Sequence, residues 1–595
     1  MGKLSQQLVV TGLAIGSLSG VPGSAIALES RAIFFPDALP EPISQAVSPD
    51  TPELLPEVPN PTKQTIPTPP DFPVPRPAPD LQLEFPDSPE PPEGAVPEDF
   101  RVQIERVEVL GSTVLQAEIA TLTSAVEGQE VTFADLLQLR ADITRLYVTN
   151  GYITSGAFLP INQDLSQGVV QIQVIEGQLE AIEISGLERL RESYVRSRVG
   201  LGTQPPLNQR RIESALQLLQ FDPLLSTVNA ELTAGRAPGQ NSLLLNLEEA
   251  PAFFTTLSID NYRPPSIGSL QGVVRVTHGN LLGFGDRFSA AYSLGQGLNL
   301  YDFSYEFPIT PQGGSLSLGF NNSDSRIVED VFRDLGIRSE AQTLSLGARQ
   351  PLIRTPQSEF TLGLNLDLRR SQSFILEDIP FSFSLGPEAG RSRVAALRFS
   401  QDWVQRYPTR VLAARSQFSL GLDAFGATVN DLGIDGRFFA WLGQFQWVEQ
   451  VAPTVLLISR VNTQLTPDAL LPLERFNLGG ISTVRGYEEN QLVADSGLTA
   501  GVEALISLSN PPNQVQLNPF VEFGTAWNNL GPNPDPGTLA SVGLGLRWLV
   551  APSLRFRADY GLPLISANSQ STGLQASGFY FSLTFEPTTL LRNAD

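Results

Sequence analysis

Residues 473–490 read Leu-Glu-Arg-Phe-Asn-Leu-Gly-Gly-Ile-Ser-Thr-Val-Arg-Gly-Tyr-Glu-Glu-Asn and lie late in a region of alternating β-strand character. The adjacent glycines Gly479 and Gly480 allow a sharp turn with positive φ, and Gly486 lets the backbone beside Arg485 approach another surface closely. Arginine carries a rigid fork of donors that suits a carboxylate. The stretch therefore predicts a tight loop that presents Arg485 to a carboxylate, with a solvated surface turn as the alternative.

Both halves of this stretch resemble known sequences. Val484, Arg485, Gly486 and Tyr487 match the Val-Arg-Gly-Tyr/Phe loop of the outer-membrane barrels that translocate polypeptides. The lead-in at 474–480, Glu-Arg-Phe-x-Leu-Gly-Gly, resembles the two-partner secretion branch, which is the haemolysin secretion/activation family. The resemblance implies a transmembrane barrel with POTRA (polypeptide-transport-associated) domains, in which this loop is the sixth on the extracellular side.

From Phe253 to Phe585 the chain repeats segments of about ten residues in which apolar and polar side chains alternate. A soluble β-sandwich also alternates, so periodicity alone leaves that fold open. About 16 such segments, joined by short turns such as 310–314 and longer connections such as 324–340, favour a transmembrane antiparallel β-barrel over residues 251–595. We expect the barrel to be closed, because lipid does not tolerate an open sheet edge.

The residue that could bind Arg485 lies two strands further along the chain. By the strand count, the Arg485 loop connects the eleventh and twelfth strands, and residues 519–524 read Pro-Phe-Val-Glu-Phe-Gly. Phe520, Glu522 and Gly524 lie on the parity opposite to the lipid-facing one, which places them toward the lumen. The family pattern here is Phe-x-Asp-x-Gly, so Glu522 stands at the Asp position. The resemblance implies that Arg485 pairs with Glu522 and holds the loop inside the barrel.

The chain begins with features of an exported protein. Lys3, an apolar run and Ala-x-Ala at 25–27 predict a signal peptide over residues 1–27, with an uncleaved anchor helix as the alternative. Residues 28–99 are rich in Pro, Asp and Glu and lack apolar periodicity, which predicts an acidic, semi-rigid periplasmic linker. Secretion-family members often carry a plug helix at the start of the mature chain, but the prolines of this region argue against one.

Residues 100–250 show the same order of elements twice. The pattern predicts β-α-α-β-β over 100–177, with a first helix at about 118–126, and again over 178–250. The repeat resembles a pair of POTRA domains. In the first copy, the secretion-family motif Tyr-x3-Gly-Tyr matches Tyr147, Gly151 and Tyr152. The resemblance implies that an unfolded chain binds by adding a strand to an exposed sheet edge.

The composition argues against several classes of function. The chain has no Cys and one Met, which removes disulfides, thiolate metal sites and thiol nucleophiles. A net charge of −23 argues against nucleic acid as a partner, because phosphate binding needs a basic face. His278 is the only histidine, so neither a histidine metal site nor a serine hydrolase has support. We expect no enzyme, no metal and no cofactor.

These observations predict an outer-membrane pore that exports an unfolded partner exoprotein, as in two-partner (type V) secretion. Outer-membrane lipid would surround the barrel, and the two modules and the linker would lie in the periplasm. An insertase of the same superfamily is the alternative, although its members usually carry more POTRA domains. A solute porin would explain the strands, but it would explain neither the modules nor the Arg485 loop.

Overall fold

The computed structural model describes residues 101–160, 163–509, 514–567 and 572–587, together with the two-residue strand β1 (Leu83–Glu84). The predicted signal peptide and almost all of the predicted linker lie outside the described residues. The described chain forms two compact units: one ends at Pro251 and also includes Leu282–Gly285, and the other contains the remaining residues from Ala252 onward. Within the described ranges, we find no helix long and apolar enough to cross a membrane.

The first module of the smaller unit packs two helices on short sheets. Its elements are β2 (Arg101–Gln103), β3 (Arg106–Leu110), α1 (Gln116–Ser124), β4 (Glu130–Thr132), α2 (Phe133–Thr149), β5 (Gly156–Phe158) and β6 (Val169–Ile175). β6 pairs with β3 in parallel and with β5 antiparallel, and β2 pairs with β4. α1 begins and ends two residues before its predicted range. β2 and β4 were not predicted, because three residues are too few to show a period.

Helix α2 begins at a capping box. The Thr132 hydroxyl accepts a hydrogen bond from the backbone N–H of Asp135 at 3.2 Å, and the Asp135 carboxylate accepts one from the backbone N–H of Thr132 at 2.8 Å. This exchange satisfies backbone donors at the helix start that have no partner within the helix. The buried face of α2 recurs at helical spacing and consists of Leu136, Leu139, Ile143 and Tyr147. It packs against the apolar core residues of β3 and β6.

The second module follows the order β-α-α-β-β. Its elements are β7 (Gln178–Ser185), α3 (Glu192–Val199), α4 (Gln209–Gln220), β8 (Leu225–Ala234) and β9 (Gln240–Glu249). The sheet order is β1-β8-β9-β7, with β1 added in parallel to β8. The buried face of α4, which includes Ile212, Leu216 and Leu219, packs on the apolar residues of β8 and β9.

The larger unit consists of β-strands. In chain order they are β10 (Phe253–Asp260), β11 (Gln271–Gly279), β12 (Arg287–Gly295), β13 (Leu298–Pro308), β14 (Ser315–Arg326), β15 (Arg338–Arg354), β16 (Ser358–Ile375), β17 (Ile379–Pro380), β18 (Arg391–Arg406), β19 (Arg410–Leu422), β20 (Ile434–Asp435), β21 (Phe439–Ala452), β22 (Val455–Leu465), β23 (Ala469–Leu470), β24 (Phe476–Leu478), β25 (Leu492–Ala494), β26 (Ser496–Ser507), β27 (Val515–Trp527), β28 (Thr538–Ala551), β29 (Leu554–Pro563) and β30 (Phe579–Phe585). Short 3₁₀ turns lie at Pro265–Ile267 and Arg333–Leu335.

The long strands form a closed antiparallel barrel. Without the two- and three-residue strands β17, β20, β23, β24 and β25, sixteen strands remain, and β10 pairs antiparallel with β30 to close the sheet. The predicted barrel of about 16 strands is confirmed. The Arg485 loop connects β22 to β26, the eleventh and twelfth of these strands. The connection predicted at 324–340 is shorter than expected, because β14 continues to Arg326 and β15 begins at Arg338.

The two faces of the barrel differ in polarity along each strand. In β27, Val521 is 57% exposed on the outer face, whereas Glu522 is only 7% exposed on the inner face. Successive side chains of a strand point to opposite faces of the sheet, so apolar residues face lipid and polar residues face the lumen. This arrangement makes the lumen a place where charged groups can meet across strands.

Candidate functional site: the inward loop

The segment between β22 and β26, residues 466–495, is a folded hairpin that we call the inward loop. Its strands β24 and β25 pair antiparallel. Apolar side chains of the loop, Phe476, Leu478, Val484, Tyr487, Leu492 and Ala494, form one buried cluster with Ala526 and Leu539 of the barrel wall. Leu478 also occupies the space beside Gly524, where a Cβ atom would lie 2.3 Å from its Cδ1. The loop therefore packs against the inner wall.

The turn of the hairpin is built on Gly479 and Gly480. Their φ angles are 108° and 93°, in the region that favours glycine. The Thr483 hydroxyl accepts a hydrogen bond from the Gly479 backbone N–H at 2.8 Å, and the Gly480 N–H donates to the Val484 carbonyl at 3.2 Å. These contacts fix the backbone just before Arg485.

Arg485 is 1% exposed and contacts Glu522 in two ways. The Nε and Nη2 atoms of Arg485 donate to the same carboxylate oxygen, Glu522 Oε1, at 2.9 and 2.5 Å. The backbone N–H of Arg485 donates to the other oxygen, Oε2, at 2.7 Å. The carboxylate is thus held by the side chain and the backbone of one residue. This differs from the usual bidentate pairing of arginine with a carboxylate, in which two parallel guanidinium bonds reach two oxygens.

Two further carboxylates contact Arg485, and sequence reasoning missed both. Asp559 Oδ1 accepts a hydrogen bond from Nη1 at 2.7 Å, and Glu503 Oε2 accepts one from Nη2 at 3.2 Å. Alternation with Ala558 and Tyr560 puts Asp559 on the polar face of its strand. Alternation predicts which face of the sheet a residue lies on, but it does not predict which residue it contacts, because β29 and the loop are far apart in sequence.

Three wall arginines surround these carboxylates. Arg460 and Arg547 lie 2.7 and 3.3 Å from Glu503, and Arg557 lies 2.5 Å from Asp559. We call the whole group the tip cluster: Arg460, Arg485, Glu503, Glu522, Arg547, Arg557 and Asp559. Its charged groups lie on the loop and on β22, β26, β27, β28 and β29. Buried charges are tolerated when each is paired and hydrogen-bonded, as they are here.

The other predicted loop residues surround Arg485. The Phe520 ring centroid lies 3.5 Å from the Arg485 guanidinium carbon, a cation–π contact. A Cβ atom on Gly486 would lie 3.1 Å from the Gly561 carbonyl carbon, so the two backbones approach closely. The Tyr487 hydroxyl lies 2.8 and 2.9 Å from the carbonyl oxygens of Ala540 and Ile565. All the predicted loop residues therefore meet in one place on the inner wall.

The predicted motif of the first module lies elsewhere, at the joint between the two modules. The Gly151 carbonyl accepts a hydrogen bond from the Gln209 backbone N–H at 2.8 Å. Asn208 caps α4 and its Nδ2 donates to the Asn150 carbonyl at 3.0 Å. Tyr152 packs edge-on against Tyr147, with ring centroids 5.9 Å apart. The motif thus connects the end of α2 with the start of α4.

Tyr147 is buried and donates to Glu176 Oε1 at 2.9 Å. Burial raises the pKa of Tyr147 to about 12. Burial opposes ionisation of Glu176 as well, but hydrogen bonds from the hydroxyl and backbone N–H of Thr113 lower its pKa below the usual value. Glu176 therefore stays charged and joins the end of β6 to the segment before α1.

Comparison with known proteins finds a matching family, a matching domain type and several relatives. Residues 239–548 match the model of the haemolysin secretion/activation protein family ShlB/FhaC/HecB, and residues 102–177 match the ShlB-type POTRA domain. The outer membrane transporter CdiB of Escherichia coli O6:K15:H31 is 26% identical over 475 residues, which cover 74% of this chain and 76% of the relative. The hemolysin transporter protein ShlB of Serratia marcescens is 25% identical over 425 residues, or 69% and 73% of the two chains.

The heme/hemopexin transporter protein HuxB of Haemophilus influenzae strain Rd is 25% identical over 422 residues, 67% of this chain and 71% of the relative. The solved structure of CdiB from Escherichia coli superposes with a TM-score of 0.63 at 23% identity and covers 84% of this chain and 93% of that one, which shows a shared fold. Because the family model spans more than half of the sequence, the chain belongs to the haemolysin secretion/activation protein family ShlB/FhaC/HecB.

Proposed function

We propose that this outer-membrane transporter exports a partner exoprotein in unfolded form through the lumen of its barrel. Its relatives include transporters named for haemolysin and for heme/hemopexin. The observation that carries the proposal is the inward loop, whose buried tip cluster holds it against the inner wall. A chain can pass only if that loop moves, so the protein acts by binding and conformational change rather than by catalysis.

The periplasmic part would receive the partner. We assign residues 100–177 and 178–250 to two POTRA domains, preceded by the predicted signal peptide (1–27) and linker (28–99). Strands β3 and β5 border the first three-stranded sheet, and β7 borders the second sheet at the side away from β1. Border strands leave backbone donors and acceptors unpaired within the sheet, and an extended chain can bind them with little regard to its side chains.

The inward loop would act as the gate. Arg485 holds it to the wall at Phe520 and Glu522, and Leu478 packs beside Gly524. Val484, Gly486 and Tyr487 contact the wall next to Arg485, and Gly479 and Gly480 shape the turn. Moving Arg485 away would leave three carboxylates with fewer partners in a poorly solvated place. The gate therefore favours the closed arrangement until a bound chain compensates for the lost contacts.

Both alternatives to secretion explain less. Membership of a secretion family and two periplasmic modules favour an exporter over an insertase. A porin for small solutes needs a bore that stays open, whereas a loop packed along the wall narrows the bore. In planar bilayers we expect small, fluctuating currents from this barrel. A large, stable current from the wild type would instead favour the porin.

Secretion itself is the direct test. The full chain is co-expressed with a candidate large exoprotein, sought among the genes beside its own, and exoprotein is measured in the medium of cells with and without the transporter. Secretion should require the transporter, and residues 100–250 alone should bind the amino-terminal region of the same exoprotein. Transporter-independent release, or normal assembly of other barrels only when the transporter is present, would overturn the proposal.

A further inference from the structure

Arg485 is not the only buried charged residue of the inward loop, and Glu474 is one that lies near the root of the loop. Glu474 is 7% exposed and follows β23 in the chain. Its carboxylate lies among three charged side chains of the barrel wall. We call this group the root cluster: Asp367, Arg369, Arg398 and Glu474.

The contacts of Glu474 are close and numerous. Arg398 Nη2 lies 2.9 Å from both carboxylate oxygens. Arg369 Nη1 donates to Glu474 Oε1 at 3.0 Å and to the Leu473 carbonyl at 2.7 Å. The loop therefore supplies both a side chain and a backbone acceptor at this point.

The wall side of the root cluster is held in place independently of the loop. Arg398 Nε donates to Asp367 at 2.6 Å, and its Nη1 donates to the Ser419 hydroxyl at 2.8 Å. Both partners are wall residues, so they orient the Arg398 guanidinium without any contribution from the loop. Next to it, Leu470, Leu471 and Leu473 of the loop are buried with apolar wall and loop residues.

The two clusters hold the loop to different parts of the wall, β16 and β18 at the root and β26, β27 and β29 at the tip. Arg369 and Asp367 lie on β16, the seventh strand, and Asp559 lies on β29, the fifteenth strand. In a closed barrel of sixteen strands, the seventh and the fifteenth are half a circumference apart. The loop thus bridges the bore from its root to its tip.

The polarity of the two contacts is reversed. At the tip the loop supplies a cation to wall carboxylates, and at the root it supplies an anion to wall arginines. If the loop were seated the other way round, Arg485 would meet Arg369 and Arg398 at the root, and Glu474 would replace the cation that the three tip carboxylates now share. Such juxtapositions are a common way of excluding a wrong arrangement.

We propose that Glu474 is a second anchor of the gate: a positioning residue that holds the root of the inward loop to β16 and β18 and must separate from Arg369 and Arg398 when the bore opens. This inference rests on the proposed function of the loop as a gate. If only the tip were released, the root of the loop would still be attached to β16 and β18. Full opening therefore needs both anchors to let go.

The test uses Glu474→Gln, which keeps the shape and removes the charge. Removing one member of a buried ion pair leaves its partner uncompensated, so we expect about a tenfold rise in the open fraction of the purified full-length barrel in planar bilayers. Combining Glu474→Gln with Arg485→Ala should multiply the two effects, because Glu474 pairs with Arg369 and Arg398 whereas Arg485 pairs with Glu503, Glu522 and Asp559. Glu474→Asp, which keeps the charge, should lie between wild type and Glu474→Gln.

Asp402→Asn is the matched control. Asp402 lies on β18 like Arg398, is 2% exposed and pairs with Arg415 at 2.8 Å and with Arg349 at 3.3 Å, but neither partner belongs to the loop. The control loses a buried wall carboxylate without touching the gate, and its open fraction should stay at the wild-type level. An equal rise in both variants would mean general loosening of the barrel and would overturn the role of Glu474.

A second readout follows the loop directly. The chain has no Cys, so Ser482→Cys introduces a single thiol at the turn of the loop. Adding Glu474→Gln to this variant should speed labelling by a membrane-impermeant maleimide, whereas adding Asp402→Asn should not. Unchanged labelling and conductance in folded Glu474→Gln protein would disprove the second anchor. Both readouts work without an exoprotein, so a failure of secretion as the function would be seen separately.

Discussion

In both the periplasmic modules and the barrel, apolar and polar side chains alternate along the strands. The buried side is apolar in the modules and polar in the barrel. In the second module, Leu216 and Leu243 are fully buried between a helix and a sheet, and charged residues lie outside. In the barrel, one of the most deeply buried side chains is the cation Arg485, while the exposed outer face is apolar. Water surrounds the first and lipid the second, so what counts as an interior differs.

This contrast shows how each part is held together. A module is stabilised by removing apolar surface from water, which is strong but has little direction. The inward loop is held by charge-assisted hydrogen bonds, which depend on geometry and can be broken as a set. A stable receptor and a releasable gate can therefore be built in one chain.

Arg485→Ala should have the largest effect. Breaking a fully buried ion pair costs about 3 to 5 kcal/mol, and less in a wet lumen, so the loop should lose its fixed position and the open fraction should rise while the barrel still assembles. Because secretion requires a loop that returns to a defined place on the wall, secretion should fall sharply. Arg485→Lys should rescue only in part, since an ammonium cannot reproduce the planar fork. Arg555→Ala is the control: Arg555 is on the same strand as Asp559, its side chain is 57% exposed, and its pair with Glu586 is worth about 0 to 1 kcal/mol.

A double-mutant cycle sharpens this prediction. Arg485→Ala and Glu522→Ala should be non-additive in secretion and in thermal stability, because the two residues contact each other. Glu522→Asp should be the mildest change, as it restores the family pattern. Fully additive losses would mean that the two residues do not act as a pair.

Leu216→Ala tests the apolar side of the comparison. Truncating a buried leucine typically costs about 2 to 5 kcal/mol, so thermal unfolding of the 100–250 fragment, followed by far-UV circular dichroism, should move to clearly lower temperature. All five tryptophans, at 403, 441, 447, 527 and 548, lie in the barrel. Unfolding of the barrel in the full chain, followed by the fluorescence of these tryptophans, should occur at the same temperature as in the wild type. A matching shift there would contradict independent stabilisation of the two parts.

Gly151→Ala should have a smaller effect at the joint between the modules. An alanine at the φ of 88° found there is strained by roughly 1 to 2 kcal/mol, and its Cβ would lie 3.2 Å from Asn208 Nδ2. Gly128→Ala has a similar φ of 76° and no atom within 4 Å of its Cβ, so it reports the strain alone. The fragment should lose more stability with Gly151→Ala than with Gly128→Ala. Equal losses would exclude a packing role for the joint.

The smallest expected effect is on pH dependence. Burial opposes the charge of Glu249, but backbone N–H groups of Leu190, Arg189 and Glu188 hold its pKa below the usual value, as Thr113 does for Glu176. Because both pKa values are lowered on folding, the stabilisation is present above the unfolded pKa of about 4.3 and is lost as pH falls through the folded values. Fragment stability measured from pH 6 down to pH 3 should fall, and Glu249→Gln should weaken that dependence.

Much of the architecture follows from local patterns. Alternation over about ten residues, repeated in about 16 segments, favours the barrel, and counting these segments places the Arg485 loop between the eleventh and twelfth strands, where it is found. Thr132 caps α2 through Asp135, a local contact that depends only on residues three positions apart. The parity of β27 correctly orients Phe520, Glu522 and Gly524. The ends of elements are less well defined, as α1 and the connection after β14 show.

Local patterns do not predict which charged groups pair with each other. Asp559 and the three wall residues of the root cluster lie on strands that are distant in sequence from the inward loop, and for them, as for Glu503, parity says only that they face the lumen. Which of them meet depends on closure of sixteen strands, on their register and on the path of the inward loop across the bore. The same holds for Gly151, whose neighbour Asn208 belongs to the other module. Local patterns are visible in the sequence because their period is short, whereas these contacts arise only when distant segments are brought together.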